Sequence, residues 1–281
     1  MITLTGAGCV LLGPSEPSCD PTPFLRVRKS RKFMGLQDDL AVVAAGRALR
    51  QAGLSDGLGP RVGLYLAVGY IPFRHEDITP VLEASLDPEG SFDLGRFGHS
   101  GFQRAHPLLT FRCLPNMPAF HVSVNFDVQG PYFVTYPGPG QFYTALQEAR
   151  DALESGLIDL ALVGAVAHQN NFLVAHHFSR VVPPVAPEAL RDVAAMWVVE
   201  TDASPRSPLA RLESLDVSYA PADIAAPSQP FDSFQPDGEL GPAGLALALA
   251  QATQTSGPSR HLHHTLRSRD GFCAKSHWSL S

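Results

Sequence analysis

Residues 130–164, GPYFVTYPGPGQFYTALQEARDALESGLIDLALVG, set out a strand, a sharp turn, a helix and a second strand. YFVTY has the aromatic and β-branched make-up of a central strand. After the turn, Phe142, Ala145, Leu146, Ala149, Ala152 and Leu153 recur at the three-and-four spacing of one helical face, which predicts a helix packed on a sheet. Gly156 stops that helix, and IDLALVGAV is apolar enough for a strand buried on both sides. The turn itself reads Pro-Gly-Pro-Gly. Turns of this kind often present a nucleophile, yet nothing in this one can attack.

Outward from this unit the chain alternates between strand and helix. MITLTGAGCVLLG reads as a first strand with a glycine break. DDLAVVAAGRALRQAGL has an acidic start at Asp38 and Asp39, helical spacing and a stop at Gly53, and it leads into the strand-like VGLYLAVG. From Tyr70 to Pro118 the texture is that of loops lying over one edge of the domain, with a short helix near Ile78 to Leu86. The alternation in HVSVNFDV predicts a strand. After Phe178 comes an irregular proline-bearing piece, then the strand VAAMWVVE.

With 281 residues, 44% hydrophobic and 17% charged, the chain can bury a core as one large domain or two fused halves. A net charge of -6 gives no general pull toward nucleic acid. No apolar run approaches the ~20 residues of a membrane span. The N-terminus lacks the pattern of a signal peptide, so the expected location is the cytoplasm. Cys9, Cys19, Cys113 and Cys273 lie far apart without a CxxC pair, which predicts reduced thiols rather than disulfides or a zinc knuckle. His261, His263 and His264 form one tight group. On a strand, alternation sends His261 and His263 to one face and His264 to the other, and this reading is preferred to a metal site. Neither metal nor cofactor is expected.

The segment from Gly130 to Val166 resembles the nucleophile region of the β-ketoacyl synthases of the thiolase-like superfamily. That family has Gly-Pro, a strand, a small-residue turn bearing cysteine, a helix, and then G-x-x-D-x-A-x-x-G-G. LPNMPAFHVSVNFDVQGP is similar to the Leu-Pro-Asn-Met segment that leads into its Gly-Pro, and LRDVAAMWVVETDASP resembles its Asp-Gly-Ala strand. The resemblance covers residues 1–215 as an N-terminal domain, and residues 216–281 more weakly as the remnant of a C-terminal half packed into the same unit. It implies an α/β, thiolase-like layered α-β-α fold with a largely intact N-terminal half and a truncated C-terminal half.

Aligned without gaps, the family's cysteine falls on Pro139. In the family a thiolate sits at a helix N-terminus, and its own amide helps bind the oxyanion. Proline supplies neither thiol nor N–H, yet suits the first turn of a helix. The family's His-Gly-Thr-Gly-Thr turn has no counterpart. Its Gly-His at a later helix start is matched by Gly241-Pro242 in FQPDGELGPAGLALALAQA, with a helix expected from Ala243 to Ala252. The interval from Glu200 to Gly241 is too short for the elements the family places there. HHTLRSRDGFCAKSHWSLS is similar to the closing pair of strands, with Gly271-Phe272 near a glycine-phenylalanine turn.

These losses imply a non-catalytic relative, resembling the chain-length factors that pair with a ketosynthase in type II polyketide and aryl polyene pathways. The expected partner is a catalytic ketosynthase in a heterodimer whose acyl tunnel this chain shapes. The resemblance implies interface or tunnel positions at Phe111, Leu114, Asn116, Met117, Phe120, Tyr132, Phe133, Tyr136 and Phe142. The basic run with Arg26, Arg28, Lys29, Arg31 and Lys32 is read first as a solvated segment, with docking of an acyl carrier protein as a secondary reading. Two alternatives stand beside this: a stand-alone acyl-chain binder, and an acyltransferase with a relocated nucleophile such as Cys113, near His121.

Overall fold

The computed structural model describes residues 1–55, 57–219, 238–254, 261–268 and 271–281. Eight strands form one mixed sheet: β1 (Ile2–Leu11), β2 (Val62–Val68), β3 (Tyr132–Thr135), β4 (Leu160–Ala167), β5 (Val193–Thr201), β6 (Ala210–Tyr219), β7 (His261–Arg267) and β8 (Phe272–Leu280). Their order is β3-β2-β4-β5-β1-β6-β8-β7. The helices are α1 (Leu36–Gln51), α2 (His75–Glu83), the short α3 (Leu94–Arg96) and α4 (Leu109–Cys113), α5 (Met117–Phe126), α6 (Gln141–Glu154), α7 (Phe172–Ser179) and α8 (Gly244–Ala252).

The β3-α6-β4 unit forms as its spacing predicts. The whole predicted face of α6 is buried, and β4 is buried along its full length. β2 pairs in parallel with both β3 and β4. α1 and α5 cover one face of these strands in a core with Val10, Leu64 and Val198. β1 accommodates α1 through its glycines: a Cβ on Gly8 would strike the Ala44 carbonyl, so the glycine break in the first strand is where the helix comes close.

α6 and α8 occupy the other face. α8 is apolar all round, as expected of a helix with protein on every side. Its neighbours come from both ends of the sheet, since one core joins α6 and α8 to β2, β4 and β5 and also to β6, β7 and β8. Tyr143 of α6 hydrogen-bonds His264 on β7 and, at 3.0 Å, Ser276 on β8. β2 and β8 are five positions apart in the sheet, about 24 Å if it were flat at ~4.8 Å per strand. A helix is only ~10 Å across. The sheet therefore bends, and β6-β8-β7 close over α6 and α8 from the far side. Trp197 on β5 fastens the layers. Its indole N–H donates to the Ala246 carbonyl at 3.0 Å, and its ring meets Phe142 and Trp278 edge-on.

Three expectations need correction. HVSVNFDV is not a strand. It lies mostly in α5, where Met117, Pro118, His121, Val122, Asn125 and Phe126 are buried, a helical spacing that the alternation of valines obscured. Pro118 in the first turn starts this helix, and Asp127, in the left-handed region at φ 58°, ends it. Among the described residues YFVTY is an edge strand rather than a central one, paired only with β2, with Tyr132 68% exposed. The helix near residue 78 begins three residues earlier, at His75, and ends at Glu83. By contrast, β7 sends His261 and His263 outward while His264 turns inward to Tyr143, matching the alternation.

Candidate functional site

β1, β2, β3 and β4 all end on one rim of the sheet, the side where open α/β sheets bind ligands. Both proline-bearing turns stand on that rim. The first joins β3 to α6. Gly140 is the N-cap, so Pro139 precedes the helix instead of occupying its first turn as the sequence suggested. The Gln141 amide donates to the Gly138 carbonyl at 3.2 Å, which makes Pro139 and Gly140 the middle of a tight turn. The Tyr143 amide turns back to Gly140 at 3.0 Å, and the Thr135 hydroxyl donates to the Gln141 carbonyl at 3.1 Å. The amides of Gln141 and Tyr143 are thus engaged locally, and Pro139 has none. Phe272 covers the turn: a Cβ on Gly140 would stand 2.5 Å from its ring.

The second turn, Gly241–Ala243, sits against the end of β4 and leads into α8, which starts at Gly244. Pro242 is buried there. The Gly241 amide donates to the Glu239 carboxylate at 2.9 Å, and Gln169 Nε2 donates to the Glu239 carbonyl at 2.6 Å. Burial raises the Glu239 carboxyl pKa, against the lowering effect of the Gly241 amide. Residues 234–237 of the segment quoted for this turn lie outside the described residues.

An aromatic group that the sequence reading passed over adjoins the first turn. Tyr70, just beyond β2, packs edge-on against Tyr136 and Phe178, and its hydroxyl lies 3.0 Å from His177 Nε2. Burial raises the Tyr70 pKa, with Tyr136 and Glu239 adding to the shift. The signal in the sequence was the position of Tyr70, on the first loop after a buried parallel strand.

A cavity of about 640 Å³ opens farther along the rim, lined by Arg31, Asp39, Arg74, Asp77, Cys113 and His168 among others. Its carboxylates are paired, Asp39 with Arg31 at 2.6 Å and Asp77 with Arg74 at 3.2 Å. Within the basic run, Arg26 also reaches Asp127, and Lys32 lies over the Phe33 ring. Burial, together with Asp77 and Asp38, pushes the Cys113 thiol up to about 12, so it is protonated and a poor nucleophile at neutral pH. His121 is buried and its pKa is pushed down to about 4 by desolvation, with its Nε2 4.0 Å from Asp38. Burial raises the Asp38 carboxyl well above the usual carboxylate range, against the Gly35 amide that donates to it at 2.7 Å.

Of the expected interface positions, Phe111, Leu114, Phe120, Tyr132 and Tyr136 are large exposed apolar side chains, with Asn116 exposed among them. Val124, one turn after Phe120, extends the exposed face of α5. Phe133 is half-buried against the core. Met117 and Phe142 belong to the interior: Phe142 is fully buried against Trp197 and is a packing residue, not a surface one. Among the described residues no helix is long and apolar enough to cross a membrane.

The N-terminal-domain model of the β-ketoacyl synthases matches residues 7–189. A search of curated proteins finds no match. Among solved structures, the chain is similar to one described as a type II polyketide synthase acyl-carrier protein in complex with its ketosynthase bound to the hexaketide. The TM-score is 0.74 at 13% identity, covering 100% of this chain and 99% of that one. It is also similar to the ishigamide ketosynthase/chain length factor, with a TM-score of 0.68 at 18% identity and 99% of each chain covered. A β-ketoacyl synthase from Burkholderia phymatum STM815 gives 0.67 at 16% identity, over 100% and 99% of the two chains. At these identities the likeness is one of fold. That fold is thiolase-like, with an intact N-terminal half and a shortened C-terminal half whose strands close over α6 and α8. The chain belongs to the β-ketoacyl synthase family.

Proposed function

We propose that this protein is a non-catalytic member of the family that pairs with an active ketosynthase and shapes its acyl tunnel, in the manner of a chain-length factor. The observation that carries the reading is Pro139 at the turn between β3 and α6. A condensing enzyme of this family needs a thiolate and an oxyanion donor at that place. Here the residue supplies neither, the Gln141 and Tyr143 amides are engaged within the turn, and Phe272 lies over it. Pro242 holds the second catalytic place. Cys113, the rival nucleophile, is buried with its thiol pKa at about 12.

Pairing is supported by the edge of the sheet. Among the described residues β3 leaves one side of its backbone unpaired beside the exposed Tyr132, and such an edge is a liability unless something covers it. Exposed Phe111, Leu114 and Phe120 add apolar surface on α4, α5 and the loop between them, of the kind that marks an interface. Similarity to a ketosynthase/chain length factor structure points to the class of partner, and the acyl carrier protein in another similar structure suggests what the complex serves. An aryl polyene or polyketide product and a cytoplasmic location accord with this reading.

The catalytic half of the proposal is tested with purified protein and a malonyl thioester. Neither decarboxylation nor condensation should exceed the protein-free background. Pro139→Cys should remain inactive, because the histidine at position 242 is also missing. Turnover by the wild type, or full rescue by Pro139→Cys alone, would overturn the reading.

A further inference from the structure

The outer face of the closing strands carries three imidazoles that the proposed function does not use. His261 and His263 lie two apart on β7 with Leu262 turned inward between them, and His277 stands opposite His263 in the antiparallel register of β7 and β8. His277 Nε2 is 3.2 Å from His261 Nδ1. The His277 ring also stacks on His263, with centroids 4.0 Å apart and planes at 18°. Two imidazole nitrogens bound to one tetrahedral zinc ion stand about 3.3 Å apart, given Zn–N bonds of ~2.05 Å. The His261 and His277 nitrogens already have that spacing.

We infer that this face binds a divalent transition metal of the zinc class, held by His261 Nδ1 and His277 Nε2, with His263 supplied as a third ligand. His-x-His on one strand with a third histidine across the ladder projects three donors to the same side of a sheet. Among the described residues no group of three histidine, cysteine, aspartate or glutamate side chains is already arranged around one point. His263 must therefore turn off the face of His277 to complete the set, a side-chain rotation at an exposed position. The site is an adaptive surface chelate, not a preformed structural centre. Its electrostatics suit a cation. Glu213 is near enough to act on His277, and its carboxylate is oriented by the Ser279 hydroxyl at 2.6 Å.

The test is titration of the full chain with Zn²⁺ by calorimetry, and with Co²⁺ by visible absorption. One equivalent should bind, and the Co²⁺ bands should be those of a four- or five-coordinate ion. His261→Ala and His277→Ala should each weaken binding roughly tenfold or more, His263→Ala less, and the exposed His99→Ala not at all. In the wild type, Zn²⁺ should shift the ring resonances of His261, His263 and His277 among the 11 histidines, a readout that does not depend on any variant folding. Absence of saturable binding, equal loss in His99→Ala, or shifts confined to other histidines would overturn the inference.

Discussion

The β3-α6-β4 unit and the closing ribbon β6-β8-β7 bury the same helix from opposite sides, yet they differ in what they retain. The first lies in the part matched by the family model and has helices on both of its faces. The ribbon keeps an apolar inner face, with Leu262, Leu266, Ala274, Trp278 and Leu280 in the core, while its outer face carries His261, His263, Lys275 and His277. What survives of the C-terminal half is what α6 and α8 need in order to be buried. The difference teaches that α6 and α8 are buried from both sides by an unbroken core, while the turns on its rim carry Pro139 and Pro242.

The largest effect should come from breaking the link between the two regions. Trp197 is fully buried between Phe142 and Trp278 and gives its N–H to α8. Trp197→Ala should cost about 3–5 kcal/mol in urea unfolding, a large fraction of the roughly 5–15 kcal/mol that holds a typical domain folded. If the ribbon were merely appended, the loss would be far smaller and the unfolding would separate into two transitions.

A smaller effect sharpens the same comparison through pH. Burial lowers the inward-facing His264 from 6.5 to about 4, so the folded state resists a proton that the unfolded chain accepts. Its contribution is present above pH ~6.5 and is lost as pH falls toward ~4, on the order of 3 kcal/mol. Asp39, raised to about 7 chiefly by burial, works in the opposite direction: its contribution is lost as pH rises toward ~7. Comparison with His264→Gln isolates the histidine, because Asp39 is common to both proteins. The variant should lose less stability than the wild type between pH 6.5 and 4, and parallel profiles would show that His264 is solvated.

Much of this was legible in the sequence, for local reasons. The face of α6, the doubly buried β4 and the split of His261 and His263 from His264 follow from spacing alone. α5 was misread because HVSVNF satisfies periods of two and of three-to-four at once, and only Pro118 and the burial of Met117 decide between them. The edge position of β3 depends on what pairs beside it, which composition does not record. Phe272 over Gly140 joins residues far apart in the chain, through a bend in the sheet that no local pattern encodes. Pro139 and Pro242 stood out only when read against the family's motif.

The central claim is that the open edge beside Tyr132 is completed by a ketosynthase, and co-expression with a cognate ketosynthase, followed by native mass spectrometry, tests it most directly. The account predicts a 1:1 complex that Tyr132→Glu weakens at least roughly tenfold, since a charge would be buried at the seam. A well-behaved monomer that ignores the synthase, or a complex indifferent to Tyr132→Glu and to charges at Phe120 alike, would contradict it.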